Sequence, residues 1–183
     1  MRVLTTSLPG VVVLEPRVYE DERGSFTEVW NRREFTEAVG GFGDFVQDNE
    51  STSRRGVLRG IHYQLPPAAQ GKLVRVVVGE VFDVAVDLRR SSPSFGRWFG
   101  IRLSADDRRQ LWIPPGFGHG FLSLVEGTVL SYKVTHYYDP ARERRIRWDD
   151  PQLAIEWPLE GDLPLLSHQD ANAPPLAAAE VFE

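Results

Sequence analysis

The chain has 183 residues, a formal net charge of −5 and no cysteine. This length, with 42% hydrophobic and 26% charged residues, predicts a single globular domain that spans residues 1–183. Without cysteine the chain cannot form disulfides, zinc–thiolate sites or a cysteine nucleophile. The acidic balance also argues against a nucleic-acid partner, because binding to phosphate backbones requires a basic face.

Short segments with strand character follow one another along the chain. In the clearest of them, apolar residues at 82, 84, 86 and 88 recur with the period of two that is typical of a strand. Gly79 and Glu80 separate two such segments and predict a tight hairpin turn. The predicted strand segments are 11–18 (interrupted at Pro16), 45–53, 57–64, 73–78, 81–88, 98–103, 110–113, 120–124, 129–136 and 145–148.

Helix is predicted at one place, residues 34–39, where Asn31 precedes Glu34 at the spacing of a capping box. About ten short strands with one or two short helices predict an all-β fold, a sandwich or barrel of the jelly-roll kind. No stretch approaches the roughly 18 apolar residues that span a membrane. Residues 1–8 lack the pattern of a signal peptide, so we expect a cytoplasmic protein without a membrane partner.

The histidines raise the question of a metal site. Metal-binding barrels usually combine a His-x-His pair and a later Glu with a third His from a Pro-Gly turn. The third element is visible at 115–119, but His62 is followed by Tyr63 and Gln64, so the paired ligand is missing. We therefore expect no metal, with a site built from single histidines as the minor alternative. The four histidines are His62, His119, His136 and His168.

Cationic and amide side chains are dense around His62. Buried polar groups are costly unless they are paired, so such a cluster on strands indicates a cavity for an anionic ligand such as a phosphate. The alternative is an exposed polar sheet face without a ligand. The cluster consists of Gln47, Asn49, Arg54, Arg55, Arg59, Lys72 and Arg75.

Strict alternation would place Arg59 and His62 on opposite faces of a strand, although a bulge at Gly60 could reset the register. Tyr132 lies in the middle of a predicted strand, where tyrosine is common for packing reasons alone. Asp170 has the setting of a solvated loop acid. The residues by themselves therefore predict the fold and leave the function open.

Six motifs in order along the chain carry a resemblance to a known family. They are Arg-Gly-Ser-Phe at 23–26, Phe-Val-Gln-Asp-Asn at 45–49, Gly-Val-Leu-Arg-Gly-Ile-His-Tyr-Gln at 56–64, Val-Ala-Val-Asp-Leu-Arg at 84–89, Pro-Gly-Phe-Gly-His-Gly-Phe at 115–121 and Thr-His-Tyr-Tyr-Asp-Pro at 135–140. Together they closely resemble the dTDP-4-dehydrorhamnose 3,5-epimerase family of nucleotide-sugar enzymes, from about residue 11 to residue 170.

The resemblance implies a cupin-type jelly roll that forms a homodimer with an exchanged N-terminal strand. It also implies epimerisation of dTDP-4-dehydro-6-deoxy-glucose at C3, C5 or both, without a cofactor. The 4-keto group makes the hydrogens on C3 and C5 acidic, because the carbanion delocalises into an enolate. A base then removes the proton on one face, and an acid returns one on the other.

Residue roles follow from the same resemblance. His62 would be the base, oriented by Asp170, while Tyr132 would be the acid and Lys72 would stabilise the enolate oxygen. Gln169 departs from the family pattern, in which Lys or Arg often precedes the aspartate, and this puts one diphosphate contact in doubt. The implied substrate contacts are Gln47, Asn49, Arg59, His119 and Glu143, with Tyr138 near the nucleotide or diphosphate, and Arg23, Phe26 and Glu28 reaching the nucleotide from the partner subunit.

The resulting prediction is a 3,5-epimerase that yields dTDP-4-dehydro-L-rhamnose. A single-centre 3- or 5-epimerase shares the acid and base residues, so the motifs do not separate it from the double epimerase. A 3,4-ketoisomerase and a non-catalytic binder of sugar nucleotides are the remaining alternatives.

Overall fold

The computed structural model describes residues 1–41 and 44–183, which form mainly strands. The strands are β1 (Arg2–Thr5), β2 (Val12–Glu15), β3 (Val18–Asp21), β4 (Gly24–Thr27), β5 (Gln47–Ser53), β6 (Leu58–Gln64), β7 (Lys72–Val78), β8 (Glu80–Asp87), β9 (Trp98–Ser104), β10 (Gln110–Ile113), β11 (Phe117–Ser123), β12 (Thr128–Val134) and β13 (Glu143–Arg145). The helices are α1 (Arg32–Val39) and α2 (His168–Ala171), followed by a 3₁₀ turn at Leu176–Ala178.

The strands form two antiparallel sheets that face each other. One sheet has six strands in the order β1-β2-β10-β7-β12-β5, and the other has five in the order β13-β6-β11-β8-β9. Strands β3 and β4 form a separate hairpin. The prediction of an all-β jelly roll with short helices is confirmed. The sequence pattern missed β1 and β4, and it placed the start of β3 in the same segment as β2. The strand predicted at 145–148 instead covers Glu143–Arg145.

Three apolar clusters hold these layers together. Val74 and Leu111 belong to the cluster between the two sheets. Ile61 belongs to a cluster on the outer face of the five-stranded sheet, where the chain after β13 packs. Phe35 of α1 packs with Trp112 on the outer face of the six-stranded sheet. Burying one such side chain contributes about 1.5–3 kcal/mol, so both outer faces add to stability.

The hairpin predicted at Gly79 is wrong. Strand β7 ends at Val78 in the six-stranded sheet, and β8 begins at Glu80 in the five-stranded sheet. Gly79 is therefore the corner at which the chain crosses between sheets. Its φ is +82°, and an added Cβ would lie 2.6 Å from Thr128 Oγ1, so both the conformation and the space favour glycine.

The predicted helix is present and begins two residues earlier than expected. The Asn31 side chain caps it by accepting hydrogen bonds from the backbone N–H groups of Arg33 and Glu34. The Glu34 carboxylate accepts a hydrogen bond from the N-terminal ammonium of Met1 at 3.2 Å. Within residues 1–41 and 44–183, none of the helices is long and apolar enough to cross a membrane.

Candidate active site

Alternation along the strands directs a set of polar side chains into the space between the sheets. Asp83 lies between Val81 and Ala85 on β8, and both of these belong to the core between the sheets. Lys72 shares a face of β7 with Val74, a member of the same core. The polar side chains gathered on these faces are Gln47 and Asn49 of β5, Arg59 and His62 of β6, Lys72 of β7, Asp83 of β8, His119 of β11 and Tyr132 of β12.

A bulge in β6 places Arg59 and His62 on the same face. His62 is paired with His119 and Arg59 with Phe121, so three steps along β6 match two steps along β11. Gly60 has a φ of +121°, and an added Cβ would lie only 2.5 Å from the Cα of Gly120. The extra residue therefore resolves the conflict that strict alternation would create.

His62 and Asp170 are in direct contact. The Nε2 atom of His62 lies 2.5 Å from Oδ1 of Asp170. Asp170 is buried, whereas 29% of the His62 side chain is exposed. The hydroxyl of Ser167, which caps α2, accepts from the Asp170 N–H at 3.1 Å and donates to Oδ2 at 2.9 Å. The short helix thus fixes both oxygens of the carboxylate that faces His62.

The environment of Asp170 favours its ionised form. Burial by itself would raise the pKa of the carboxyl. The hydrogen bond and charge of His62, the hydrogen bond of Ser167 and the charge of Arg145 outweigh burial, so that the pKa lies below its usual value. An ionised Asp170 accepts a hydrogen bond from His62 Nε2–H, so that Nδ1 carries the lone pair when the imidazole is neutral.

A second histidine–aspartate pair lies next to the first. His119 Nε2 lies 3.0 and 3.1 Å from the two oxygens of Asp83, and both residues are buried. Burial lowers the pKa of His119, although the charge and hydrogen bond of Asp83 act in the opposite direction. The His119 imidazole is therefore neutral near pH 7 and donates a hydrogen bond from Nε2–H to Asp83.

Lys72 places an ammonium group beside these pairs. Its Nζ atom donates to the backbone carbonyl oxygen of His62 at 3.3 Å. Burial lowers the pKa of Lys72 to about 8, and the charges of Asp83 and Glu143 offset part of that effect. At neutral pH the group keeps its proton in a site with little solvent, where a positive charge acts strongly on a developing negative one.

Tyr132 lies on the six-stranded sheet, which faces the sheet that carries His62. It lies on β12 and packs against the core between the sheets. Burial raises the pKa of its phenol; the charge of Arg59 lowers this pKa in part, and that of Glu143 raises it further. The hydroxyl therefore stays protonated across the neutral range and can donate a proton.

Amide side chains connect this region to the turn that carries Tyr138. The side chain of Gln47 donates to Asn49 at 2.8 Å and accepts from the backbone N–H of Tyr138 at 3.1 Å. The hydroxyl of Tyr138 donates to Glu143 at 2.9 Å. Buried Gln64 accepts from the N–H of Asp139 at 2.9 Å and so holds the same turn. Tyr138 itself is exposed and presents its ring at the surface.

Residues 5–178 match the sequence profile of a family described as dTDP-4-dehydrorhamnose 3,5-epimerase. The chain belongs to this family. A relative of that name from Shigella flexneri is 54% identical over 182 residues, covering 100% of this chain and 99% of the relative. A relative of the same name from Pseudomonas aeruginosa has the same identity and coverage. These similarities confirm the resemblance carried by the sequence motifs.

Solved structures agree with this assignment. The dTDP-6-deoxy-D-glucose-3,5-epimerase of Legionella pneumophila, crystallised in complex with dTDP-4-keto-L-rhamnose, superposes with a TM-score of 0.93. Its sequence is 48% identical, and the match covers 97% of this chain and 93% of that one. In the described part of this epimerase-family chain, no group of three or more His, Asp or Glu side chains could hold a metal ion.

Three residues that the family pattern implies as nucleotide contacts lie elsewhere within the chain. Arg23 and Phe26 belong to the hairpin of β3 and β4, and Glu28 follows directly after it. Arg23 pairs with Asp21, and Phe26 is 68% exposed with its ring 6.4 Å from that of Tyr19. The single chain therefore does not join this hairpin to the His62 region of the epimerase fold.

Four residues that complete the site were missed from the sequence. Asp83 offered a signal, since an acid in the middle of an otherwise apolar strand must be paired if it is buried. Ser167 offered a local one, since a serine three residues before an acid has the spacing of a helix cap. Gln64 offered none, because the turn that it holds lies in another segment. Arg145 was hidden for the same reason, although it is the strand neighbour of His62. Gln169, the departure from the epimerase-family pattern, is exposed on α2 next to Asp170.

Proposed function

We propose that this chain converts dTDP-4-dehydro-6-deoxy-glucose into dTDP-4-dehydro-L-rhamnose by epimerising C3 and C5 without a cofactor. The observation that carries the proposal is the contact of His62, on the five-stranded sheet, with buried Asp170 of α2, while Tyr132 lies on the facing sheet. The ligand named for the Legionella relative, dTDP-4-keto-L-rhamnose, supports this substrate class. The reaction is an isomerisation within a single domain over residues 1–183.

His62 acts as the general base. With Nε2–H donated to Asp170, the lone pair on Nδ1 takes the proton from the carbon next to the 4-keto group. The imidazolium that forms is stabilised by the Asp170 carboxylate, whose pKa is lowered by the contacts described above. A positioned base of this kind contributes about 10²–10⁴ to the rate.

Lys72 stabilises the enolate. When the C–H bond breaks, its electron pair moves into the C–C bond and the negative charge collects on the 4-oxygen. The buried Lys72 ammonium donates to that oxygen, while His119, neutral with its Nε2–H directed at Asp83 and its pKa lowered by burial, does not compete with His62 for the proton. Such preorganised stabilisation is often the largest single contribution to catalysis.

Tyr132 returns a proton from the opposite face. Its raised pKa keeps the hydroxyl protonated until the enolate carbon accepts the proton, which inverts the centre. The phenolate and the imidazolium then exchange protons with water, so that each turnover introduces one solvent hydrogen at the inverted carbon. The same pair acts first at one carbon and then at the other.

The remaining contacts bind the substrate. The sugar and diphosphate are held by Gln47, Asn49, Arg59 and Glu143. The nucleotide lies against Tyr138. In a homodimer with an exchanged N-terminal strand, Arg23, Phe26 and Glu28 reach the nucleotide of the partner subunit. The exposure of Phe26 and the separate hairpin that carries Arg23 support this assignment. A cytoplasmic location is part of the same proposal.

Solvent exchange in D₂O tests the proposal. The 4-keto sugar nucleotide is incubated with the protein, and deuterium is followed at C3 and C5 by NMR. We expect label at both carbons. Label at one carbon alone would establish a single-centre epimerase, which the relatives at 54% identity do not favour. Migration of the keto group would identify a 3,4-ketoisomerase, and binding of dTDP without exchange a non-catalytic protein.

A further inference from the structure

Arg145 lies at the end of β13, the edge strand next to β6, and is paired in register with His62. Its side chain is 22% exposed. The Nη2 atom donates to Oε2 of Glu143 at 2.9 Å. The Nε atom is buried without a hydrogen-bond partner and lies 3.6 Å from Oδ1 of Asp170. The guanidinium therefore stands between two carboxylates.

The oxygen that Arg145 approaches is the one that contacts His62. Oδ1 of Asp170 lies 2.5 Å from His62 Nε2 and 3.6 Å from Arg145 Nε, while Oδ2 accepts from Ser167. Because a guanidinium is planar and rigid, it restricts where a neighbouring carboxylate can lie. Ser167 and Arg145 thus hold Asp170 from two different directions.

Glu143 extends the contact to the nucleotide side of the site. Its Oε2 atom accepts from Arg145 and also from the hydroxyl of Tyr138 at 2.9 Å. The turn that carries Tyr138 is held in addition by Gln47 and Gln64. An unbroken series of contacts therefore runs from Asp170 through Arg145 and Glu143 to Tyr138.

We propose that Arg145 is a positioning residue that holds Asp170 against His62 and couples this pair, through Glu143, to the turn that carries Tyr138. The proposal deepens the function proposed above and rests on His62 as its base. Binding of the nucleotide at Tyr138 and the orientation of the base are then coupled rather than independent.

Several charged groups act on the same pair, and a test must separate them. The charged and titratable side chains around it are Arg59 of β6, Lys72 of β7, Asp83 of β8, His119 of β11, Tyr132 of β12, and Glu143 and Arg145 of β13. Of these, Arg145 is the cation that acts on Asp170 directly. Its removal makes Asp170 easier to protonate.

The experiment compares Arg145→Gln, Arg145→Lys and a control, Arg147→Gln. Arg147 is exposed and pairs with Asp149 at 2.6 Å. Its replacement by Gln removes the same charge two residues away from Arg145. Folding is checked by circular dichroism. The measurements are the turnover number for D₂O exchange between pH 5.5 and 8.5, the affinity for dTDP, and the titration of the Asp170 carboxyl carbon by NMR, assigned with Asp170→Asn.

For Arg145→Gln we expect turnover to fall about tenfold across this pH range, because Asp170 is less well placed, with dTDP affinity changed less than about threefold. Arg145→Lys keeps the charge and therefore the midpoint of Asp170, but its turnover stays about threefold below wild type because lysine lacks the rigid fork. Arg147→Gln behaves as wild type. Wild-type turnover with a wild-type pH profile in Arg145→Gln would overturn the proposal.

Two further outcomes keep the test decisive. If Arg145→Gln does not fold, wild-type turnover in Arg145→Lys overturns the proposal. The carbon titration needs no turnover: a higher midpoint for Asp170 in Arg145→Gln supports the proposal, and an unchanged midpoint contradicts it. If the wild-type protein shows no exchange, the proposed function is refuted, while the carbon titration still decides whether Arg145 acts on Asp170.

Coupling to Tyr138 is tested by a double-mutant cycle. Tyr138→Phe removes the hydroxyl that Glu143 accepts from and keeps the ring. The loss of turnover in the double variant should be about threefold smaller than the product of the losses in Tyr138→Phe and Arg145→Gln. The reason is that both substitutions break the same series of contacts. Losses that multiply fully would contradict the coupling.

Discussion

The two histidine–aspartate pairs of this site use the same residue types in different surroundings. His119 and Asp83 lie on neighbouring strands of one sheet, and both are buried. His62 is 29% exposed, and its partner Asp170 comes from a helix more than 100 residues later in the chain. Asp170 is also held by Ser167 and Arg145, whereas both Asp83 oxygens face His119.

The difference shows how burial selects a role. A fully buried imidazole loses the hydration that would stabilise its charged form, so His119 stays neutral and serves as a fixed polar group. A partly open imidazole against an ionised carboxylate can accept a proton and release it to solvent. The pair with the exposed histidine is therefore the one suited to proton transfer, and the buried pair supports it.

Replacing the proposed base should have the largest effect. His62→Asn should lower D₂O exchange by about 10³–10⁴, because no other lone pair at this position can take the proton. Affinity for dTDP, measured by calorimetry, should change little. His136→Asn, at a half-buried histidine to which the proposed mechanism gives no role, is the control. Exchange that persists in His62→Asn would assign the base elsewhere.

Exchanging the two aspartates for asparagine compares the pairs directly. Asp170→Asn should lower turnover by about 10²–10³, since it removes the charge that stabilises the imidazolium. Asp83→Asn should lower it only about tenfold, through the loss of negative charge near Lys72. The measurement is the turnover number of each variant at pH 8. Equal losses would contradict the assignment of proton transfer to the His62–Asp170 pair and of a supporting role to the buried His119–Asp83 pair.

Disturbing the bulge should break the arrangement that makes the pairs neighbours. Gly60→Ala forces a Cβ to 2.5 Å from Gly120 and adds a side chain at a φ of +121°. We expect the free energy of unfolding to fall by about 3 kcal/mol in urea denaturation. Gly24→Ala is the matched control, because its φ is +126° but nothing lies within 4 Å. Its expected cost is about 1 kcal/mol, and equal costs would show that the close contact is unimportant.

The pH profile should show the smallest effect. Because burial lowers the pKa of Lys72 to about 8, the ammonium is present below that pH and is lost above it. Exchange should therefore fall as pH rises through 8, reaching about one tenth at pH 9. Lys72→Arg should remove this alkaline fall, since arginine keeps its proton. An alkaline limb at the same pH in both proteins would assign it to another group.

Local patterns accounted for most of the fold. The period of two, the glycine and proline boundaries and the cap at Asn31 act over a few residues, so they could be read without a structure. The corner at Gly79 could not, because a glycine between two strands has the same local signature whether the strands pair with each other or enter different sheets. The bulge at Gly60 was open for the same reason, since the register depends on the partner strand.

The sequence by itself determined the all-β class, the family and the identity of the acid and base candidates, since composition, strand period and motif order are properties of the chain alone. Only the tertiary structure decided which groups meet. It brought Asp170 to His62, Asp83 to His119 and Arg145 between two carboxylates. It also set their protonation, because desolvation and neighbouring charge depend on what the fold buries together.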